Sequence, residues 1–303
     1  MSRWLALLLC LILAHPSAAE ESVAFFYGER PPAHLLAHFH HLVVEPEHVD
    51  SDLLGELQAE GRIVYAYVSV GELGKERPWT GETDPAWQLG ENPDWNSRVM
   101  DLSAQGWRDF LFERRFLPLW QRGYRGFFLD TLDSHLLVAE DDRQRKRQQD
   151  GLVRLIHRLR REFPEASIFV NRGFEVINRV GQQINGLAVE SLYRGWDPAG
   201  ERYTEVDPAQ RQWLQERLRT VRKRFPHLTL MVLDYLPAGA RDQARETARR
   251  IRRDGYVPWV STVNLDQVGI GTVEVLPREI LMLYDSHQEP EGELAYAAIH
   301  RQA

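Results

Sequence analysis

The chain has 303 residues, of which 43% are hydrophobic and 27% charged, a balance that is typical of an ordinary globular protein. Its formal net charge at pH 7 is -7, which argues against a nucleic-acid partner because phosphates call for a basic surface. We therefore expect no nucleic acid among its partners.

The N-terminus has the features of an export signal. Residues 1–3 carry a positive charge, residues 4–14 form an apolar run, and small residues precede a cleavage point after Ala19. The apolar run is too short to span a bilayer comfortably. We predict a signal peptide over residues 1–19, a periplasmic or secreted protein, and no membrane span after cleavage. An uncleaved membrane anchor is the alternative.

Cys10 is the only cysteine, and it lies inside the predicted signal peptide. The mature protein would therefore have no disulfides and no zinc–cysteine sites. A domain of this size can bury a core large enough to fold without disulfides.

Eight short apolar runs alternate with amphipathic stretches along the chain. Most of the runs are continuously hydrophobic, which is typical of parallel strands that are buried on both faces. The predicted strands are Val23–Tyr27, Leu42–Glu45, Ile63–Val70, Gly126–Asp130, Ser167–Asn171, Gly186–Glu190, Leu228–Asp234 and Val257–Ser261.

Helical patterns separate most of these strands. An apolar stripe between residues 152 and 159 predicts one amphipathic helix, and residues 207–208, an Asp-Pro pair, predict the start of another. A third helix is predicted over residues 103–121, with a kink at Pro118.

Eight strand–helix units predict an α/β protein with a single (β/α)8 barrel of the TIM type. We place the barrel at residues 20–285 and a polar tail at residues 286–303. A doubly wound open sheet is the alternative, although no Gly-x-Gly-x-x-Gly motif follows the first strand.

One connection, from Glu72 to Arg98, is unusually long and contains Trp79, Trp87 and Trp95. It follows the third strand, so in a barrel it lies on the face where active sites are built. Either this loop is functional, or it is an insertion whose tryptophans pack on the barrel rim.

Most of the predicted strands end in polar or acidic residues, at the rim that carries catalytic residues in barrels. Packing alone does not explain this pattern, because an ionised carboxylate is costly to bury without partners. Aromatic residues on or just beyond strands could stack on sugar rings, although packing in the core is the alternative. The candidate site residues are Tyr27, Glu45, Ser69, Glu72, Asp130, Asp133, Asn171, Arg172, Glu190, Tyr193, Asp234 and Tyr235.

Two carboxylates in one pocket are the minimum equipment for cleaving a glycosidic bond. Glu190 has apolar neighbours in the sequence, which favours a raised pKa and the role of proton donor. Asp130 lies near Thr131 and Asp133, a polar setting that favours an ionised nucleophile or stabiliser. The reverse assignment stays open, as does the choice between retention and inversion, which depends on the carboxylate separation.

Three segments resemble those of the endo-α-1,4-polygalactosaminidase-like glycoside hydrolases, family 114 and its relatives. They are residues 23–28 (VAFFYG), 65–72 (YAYVSVGE) and 123–133 (GYRGFFLDTLD). The resemblance implies a barrel that cleaves α-1,4-linked galactosamine polymers internally, with partly deacetylated chains preferred. It also implies catalytic roles for Asp130 and Glu190.

A deacetylated galactosamine polymer is cationic, so the rim acids Glu72, Asp133 and Asp234 are expected to attract it. The predicted function is therefore an exported endo-acting glycoside hydrolase without metal or cofactor. Its predicted partners are a cationic amino-sugar polysaccharide and exopolysaccharide-assembly proteins. One alternative is a non-catalytic polysaccharide-binding barrel in export or assembly. The other is a metal-dependent barrel enzyme with carboxylate ligands.

Overall fold

A computed structural model describes residues 21–276 of the protein. The predicted signal peptide and the predicted polar tail lie outside the described residues, as does the end of the predicted barrel domain from residue 277 onward.

Eight parallel strands, β1 to β8, form one sheet in which each strand pairs with its neighbour in the sequence. Every predicted strand is present, with its ends shifted by no more than one residue. The strands are β1 Val23–Phe26, β2 His41–Val44, β3 Ile63–Ser69, β4 Gly126–Asp130, β5 Ser167–Asn171, β6 Gly186–Glu190, β7 Thr229–Tyr235 and β8 Val257–Ser261.

The two outer strands of this sheet face each other, so the sheet curls into a nearly closed barrel. The short strand Ile270–Gly271 pairs antiparallel with β8, and the backbone N–H of Tyr27 donates to the carbonyl of Leu265 at 2.7 Å. A sequential strand order confirms the predicted (β/α)8 barrel, because a doubly wound sheet reverses its order partway across.

The barrel interior is filled by layers of aromatic rings. Phe25 of β1 meets Phe128 of β4 edge to face, with centroids 5.2 Å apart. Tyr65 of β3 stacks on Phe169 of β5 at 4.2 Å. These strands are not neighbours in the sheet, so the rings meet across a packed core rather than across a channel.

Helices surround the barrel and bury their apolar faces against it. The predicted stripe of residues 152–159 is buried in α5, and the side chain of Asp207 caps α7 by accepting from two backbone N–H groups. The helices are α1 Ala33–Leu36, α2 Ser51–Gln58, α3 Gln105–Leu111, α4 Leu117–Gln121, α5 Asp142–Glu162, α6 Ile177–Val180, α7 Pro208–Arg224 and α8 Arg241–Arg253.

Pro118 does not end its helix. The π-helical segment Phe112–Phe116 joins α3 to α4 directly before it. Since proline lacks an N–H and its ring crowds the carbonyl four residues earlier, the wider turn takes up the irregularity that the sequence predicts as a kink.

No helix within residues 21–276 is long and apolar enough to cross a membrane.

Two small antiparallel sheets stand on the C-terminal face of the barrel. The first, the inserted sheet, follows β3 and consists of Glu72–Gly74, Gln88–Asn92 and Ser97–Met100. The second follows β6 and pairs Arg194–Asp197 with Arg202–Glu205. The long connection after β3 is therefore a folded element.

The three tryptophans of this connection have different surroundings. Trp79 lies under the guanidinium of Arg115 at 3.7 Å, and Trp87 packs against Trp107. Both thus pack on the rim, as one of the two interpretations expects. Trp95 is 62% exposed, which leaves it free for another role.

Candidate active site

The side chains of Asp130 and Glu190 meet at the C-terminal rim, on either side of Asn171. These residues end β4, β6 and β5, which are adjacent in the sheet. The Asn171 amide nitrogen donates to Asp130 Oδ1 and to Glu190 Oε1, at 2.9 Å in each case. Because both oxygens share one donor, they lie less than about 6 Å apart, close enough to flank one glycosidic bond.

Further donors hold each carboxylate in place. Asp130 accepts from the Tyr67 hydroxyl at 2.8 Å and from the backbone N–H of Thr131 at 2.7 Å. Glu190 accepts from the Tyr235 hydroxyl at 2.5 Å. Hydrogen bonds to charged groups of this kind are stronger than neutral ones, so they fix the orientation of both acids.

Burial and, after it, the negative charge of nearby Asp130 raise the pKa of Glu190 to about 7, against the opposing hydrogen bonds of Tyr235 and Asn171. Burial also raises the pKa of Asp130, while its bonds from Asn171, Thr131 and Tyr67 oppose that rise. Glu190 can therefore hold a proton near neutral pH, as a proton donor must.

Two tyrosines line the pair on the β1 and β3 side. The rings of Tyr27 and Tyr67 lie 5.0 Å apart. Burial and the charges of Asp130 and Glu190 hold the pKa of Tyr27 well above its usual value, so its hydroxyl stays protonated. Tyr27 is among the predicted site residues, and Tyr67 is one of the aromatic residues on strands for which sugar stacking and core packing were both open.

The loop after β4 is held by Ser69 and Gly71. The hydroxyl of Thr131 lies 2.9 Å from the Ser69 hydroxyl and accepts from the Gly71 N–H at 2.9 Å. A Cβ on Gly71 would lie 2.1 Å from the Thr131 carbonyl oxygen. Ser69 thus supports the loop that presents Asp130. Thr131 and Arg172, which follow β4 and β5, have φ of 63° and 57°, a strained region for such residues.

A groove of about 740 Å³ lies beside this pair and has Glu190 in its wall. It runs between the inserted sheet, the hairpin after β6 and helix α7. Its walls include Trp95, Arg172, Glu190, Trp196, Trp213 and Tyr235. Asp133, which pairs with Arg172 at 3.6 Å, is half-buried beside it.

Two of the predicted substrate contacts, Tyr193 and Asp234, are engaged by other groups of the protein. The hydroxyl of Tyr193 donates to Asp254, and the Arg250 guanidinium lies 3.9 Å from its ring, so Tyr193 does not line the groove. Asp234 is fully buried and accepts from three backbone N–H groups of the loop after β6. It organises that loop and cannot attract a polymer from solution.

Two further predicted site acids, Glu45 and Glu72, form hydrogen bonds with side chains inside the protein. Glu45 is buried and accepts a two-pronged bond from Arg77 at 2.9 and 2.7 Å. Glu72 is 6% exposed and accepts from Asn92 and Ser97 within the inserted sheet. Neither carboxylate lines the groove, and both are engaged by side chains of the protein itself.

Within residues 21–276 no group of three or more histidine, aspartate or glutamate side chains is arranged to hold a metal ion. The metal-dependent alternative therefore has no candidate ligand set in this part of the chain.

The chain forms a (β/α)8 barrel with a carboxylate pair, bridged by Asn171, beside a groove at its C-terminal rim. These are the features that a glycoside hydrolase needs. The model of glycoside-hydrolase family GH114 matches residues 20–275, and the chain belongs to that family. It is a glycoside hydrolase.

Solved structures agree with this assignment. The glycoside hydrolase domain of PelA from Pseudomonas aeruginosa is 40% identical, with 84% of this chain and 99% of that domain covered and a TM-score of 0.77. Ega3 from Aspergillus fumigatus, in complex with galactosamine, is 15% identical, with 82% and 93% covered and a TM-score of 0.61, which supports the fold alone. No curated protein matches the chain.

Proposed function

We propose that this glycoside hydrolase is an exported, endo-acting enzyme that cleaves α-1,4-linked polymers of galactosamine and N-acetylgalactosamine. The observation that carries the proposal is the Asn171 amide, which bonds to both Asp130 and Glu190 at 2.9 Å. The substrate class comes from the motif resemblance. The groove of about 740 Å³, with walls from separate elements, has room for more than a single sugar and suits a polymer chain.

The mechanism assigns one step to each acid. Protonated Glu190 donates its proton to the leaving glycosidic oxygen, while the carboxylate of Asp130 attacks the anomeric carbon and forms a glycosyl ester. Glu190, now ionised, takes a proton from water, and that water attacks the anomeric carbon and releases Asp130. Two inversions at one carbon give net retention of configuration.

The spacing of the pair favours this route over direct attack by water. Retaining enzymes place their carboxyl groups about 5–5.5 Å apart, whereas inverting enzymes need about 6.5–9.5 Å to admit the water. The oxygens that share the Asn171 donor lie less than about 6 Å apart, which is below the range that inverting enzymes need.

The charge of the site matches the proposed substrate. Two acids, Glu205 and Asp207, outnumber the single arginine on the groove wall, Arg172, and Asp133 pairs with that arginine. Such a surface attracts the ammonium groups of a deacetylated polymer.

The export signal predicted at residues 1–19 supplies the proposed location, which is the periplasm or the exterior. Exopolysaccharide-assembly proteins are the proposed further partners there.

Digestion of α-1,4-galactosamine polymers of defined acetylation, with mass spectrometry of the products, tests the function. We expect internal cleavage by the wild type and a loss of at least about a thousandfold in Asp130→Asn and Glu190→Gln. The exposed variant Asp142→Asn is the matched control and should cleave normally.

Equal activity of the wild type and Glu190→Gln would reject the proposed proton donor. Tight binding without any product would instead support the non-catalytic alternative.

A further inference from the structure

Two strongly exposed tryptophans line the same groove. Trp95 is 62% exposed and Trp213 is 45% exposed, and both belong to the wall that also carries Glu190. A single exposed apolar side chain is ordinary. Two large aromatic rings from different elements that face one polar groove are typical of a binding surface.

Trp95 is held at the tip of the inserted sheet by a buried carboxylate. Glu72 accepts from the Asn92 amide at 3.0 Å and from the Ser97 hydroxyl, the residues that flank the tip on either side. Asn92 also accepts from the backbone N–H of Asp94 at 3.2 Å. One buried acid thus ties both ends of the turn that presents the ring.

Trp213 is fixed in a different way. It lies on α7, and its ring meets Phe174 edge to face, at 5.9 Å and 87°. Phe174 is buried and belongs to the loop that follows Asn171. The guanidinium of Arg217 lies 5.2 Å from the same ring. Trp213 is therefore oriented by the loop that adjoins the catalytic pair.

We propose that Trp95 and Trp213 are stacking platforms that bind sugar units of the polymer beyond the cleaved linkage, and that Glu72 is a positioning residue for Trp95. The inference rests on the proposed function. A flat indole covers the apolar face of a pyranose ring, and a nearby ammonium group adds a cation–π attraction that tryptophan provides best. The turn that carries Trp95 and the ring of Trp213 are held in place beforehand, so binding requires less ordering.

The test measures binding without cleavage, in the full chain that carries Glu190→Gln. Calorimetry gives the Kd of α-1,4-galactosamine oligomers of increasing length. We expect Trp95→Ala and Trp213→Ala each to weaken binding of the long oligomers about five- to tenfold, with a smaller effect on the disaccharide. Leu137→Ala is the control, because Leu137 is also 62% exposed but does not line the groove.

Glu72→Gln should reproduce the length-dependent loss of Trp95→Ala, and the double variant should bind no more weakly than Trp95→Ala alone. If Glu72 only stabilised the fold, its replacement would weaken binding of every length equally.

Two failures are distinguishable. If the parent binds long oligomers and both tryptophan variants bind them as tightly, this inference is wrong and the proposed function stands. If the Glu190→Gln parent binds none of these oligomers and the wild type cleaves none of them, the proposed function is wrong, and this inference is wrong as well.

Discussion

Asn171 donates through one nitrogen to two carboxylates, and this arrangement couples their protonation. When both acids are ionised they repel each other across a buried site, so one of them retains its proton to higher pH. Burial raises the pKa of both acids, and the charge of Asp130 adds to the rise at Glu190, whose pKa is raised from 4.5 to about 7. The proposed assignment gives the retained proton to Glu190, so that the proposed acid and the proposed nucleophile differ by surroundings rather than by chemistry.

This difference predicts a pH profile. Because Glu190 must be protonated to donate, kcat/KM should fall as pH rises through about 7. The Tyr235 hydroxyl stabilises the ionised form, so Tyr235→Phe should raise the pKa of Glu190 and move the alkaline limb to higher pH. Steady-state kinetics from pH 4 to 9 measure the limb, with the remote Tyr256→Phe as control. A limb that stays in place or moves to lower pH would contradict the assignment.

The rule that catalytic residues end barrel strands predicted from the sequence four residues that the structure brings together, Asp130, Asn171, Glu190 and Tyr235. The rule does not give the direction of Asp234, because successive strand residues point to opposite sides. β7 ends one residue later than predicted, so Tyr235 reaches Glu190 while Asp234 points into the loop after β6. Because almost every residue of β7 is buried, polar and apolar residues do not alternate along it, and the sequence does not show which way each side chain points.

At the scale of elements, the two most specific motifs are in direct contact with each other. Residues 65–72 provide Tyr67, Ser69 and Gly71, and residues 123–133 provide Asp130 and the strained loop that they support. β3 and β4 are neighbours, so the motifs meet at the rim. The sequence indicated that both motifs belong to the site, but it did not show that the residues of one motif hold those of the other in place.

Replacing glycine with alanine is expected to destabilise the fold at Gly71, where the two motifs are in contact, and to stabilise it at Gly55. Gly71→Ala would place a Cβ 2.1 Å from a backbone oxygen, so we expect it to destabilise the fold by about 1–3 kcal/mol and to lower activity. Gly55, inside helix α2, has open space around it, and Gly55→Ala should stabilise by about 0.5–1 kcal/mol.

Urea unfolding monitored by circular dichroism measures both changes. If Gly71→Ala were as stable and active as the wild type, the proposed support of Asp130 by the β3 motif would be wrong.

The inserted sheet marks the limit of prediction at this scale. Its strands have three to five residues and a mixed polar pattern, too little for periodicity to show. Their stability comes from contacts that are distant in the sequence, such as Glu72 with Ser97 and Trp87 with Trp107. The sequence therefore predicted a long loop at the place where the structure has the three-stranded inserted sheet.

At the scale of the whole molecule, the barrel follows from a simple pattern. Eight apolar runs that are hydrophobic throughout must be covered on both faces, and amphipathic helices between them provide the outer cover. Closing the sheet brings the ends of β4 and β6 to one rim, with β5 between them. The fold thereby turns two acids that are distant in the chain into a pair.

The identity of the substrate lies outside what this pattern can determine. Short apolar strands specify a barrel, and barrels with similar cores act on many sugars. The groove that we propose to select the polymer is made by the inserted sheet, the hairpin after β6 and the start of α7. Loops and insertions outside a barrel core can vary in sequence without changing the barrel.

The measurement that tests the central claim most directly is proton NMR of the products in the first minutes of hydrolysis of an α-1,4-galactosamine oligomer. If Asp130 attacks and Glu190 donates across one linkage, the new reducing end appears first as the α anomer and then mutarotates. Initial release of the β anomer would show a single displacement by water and would contradict the account.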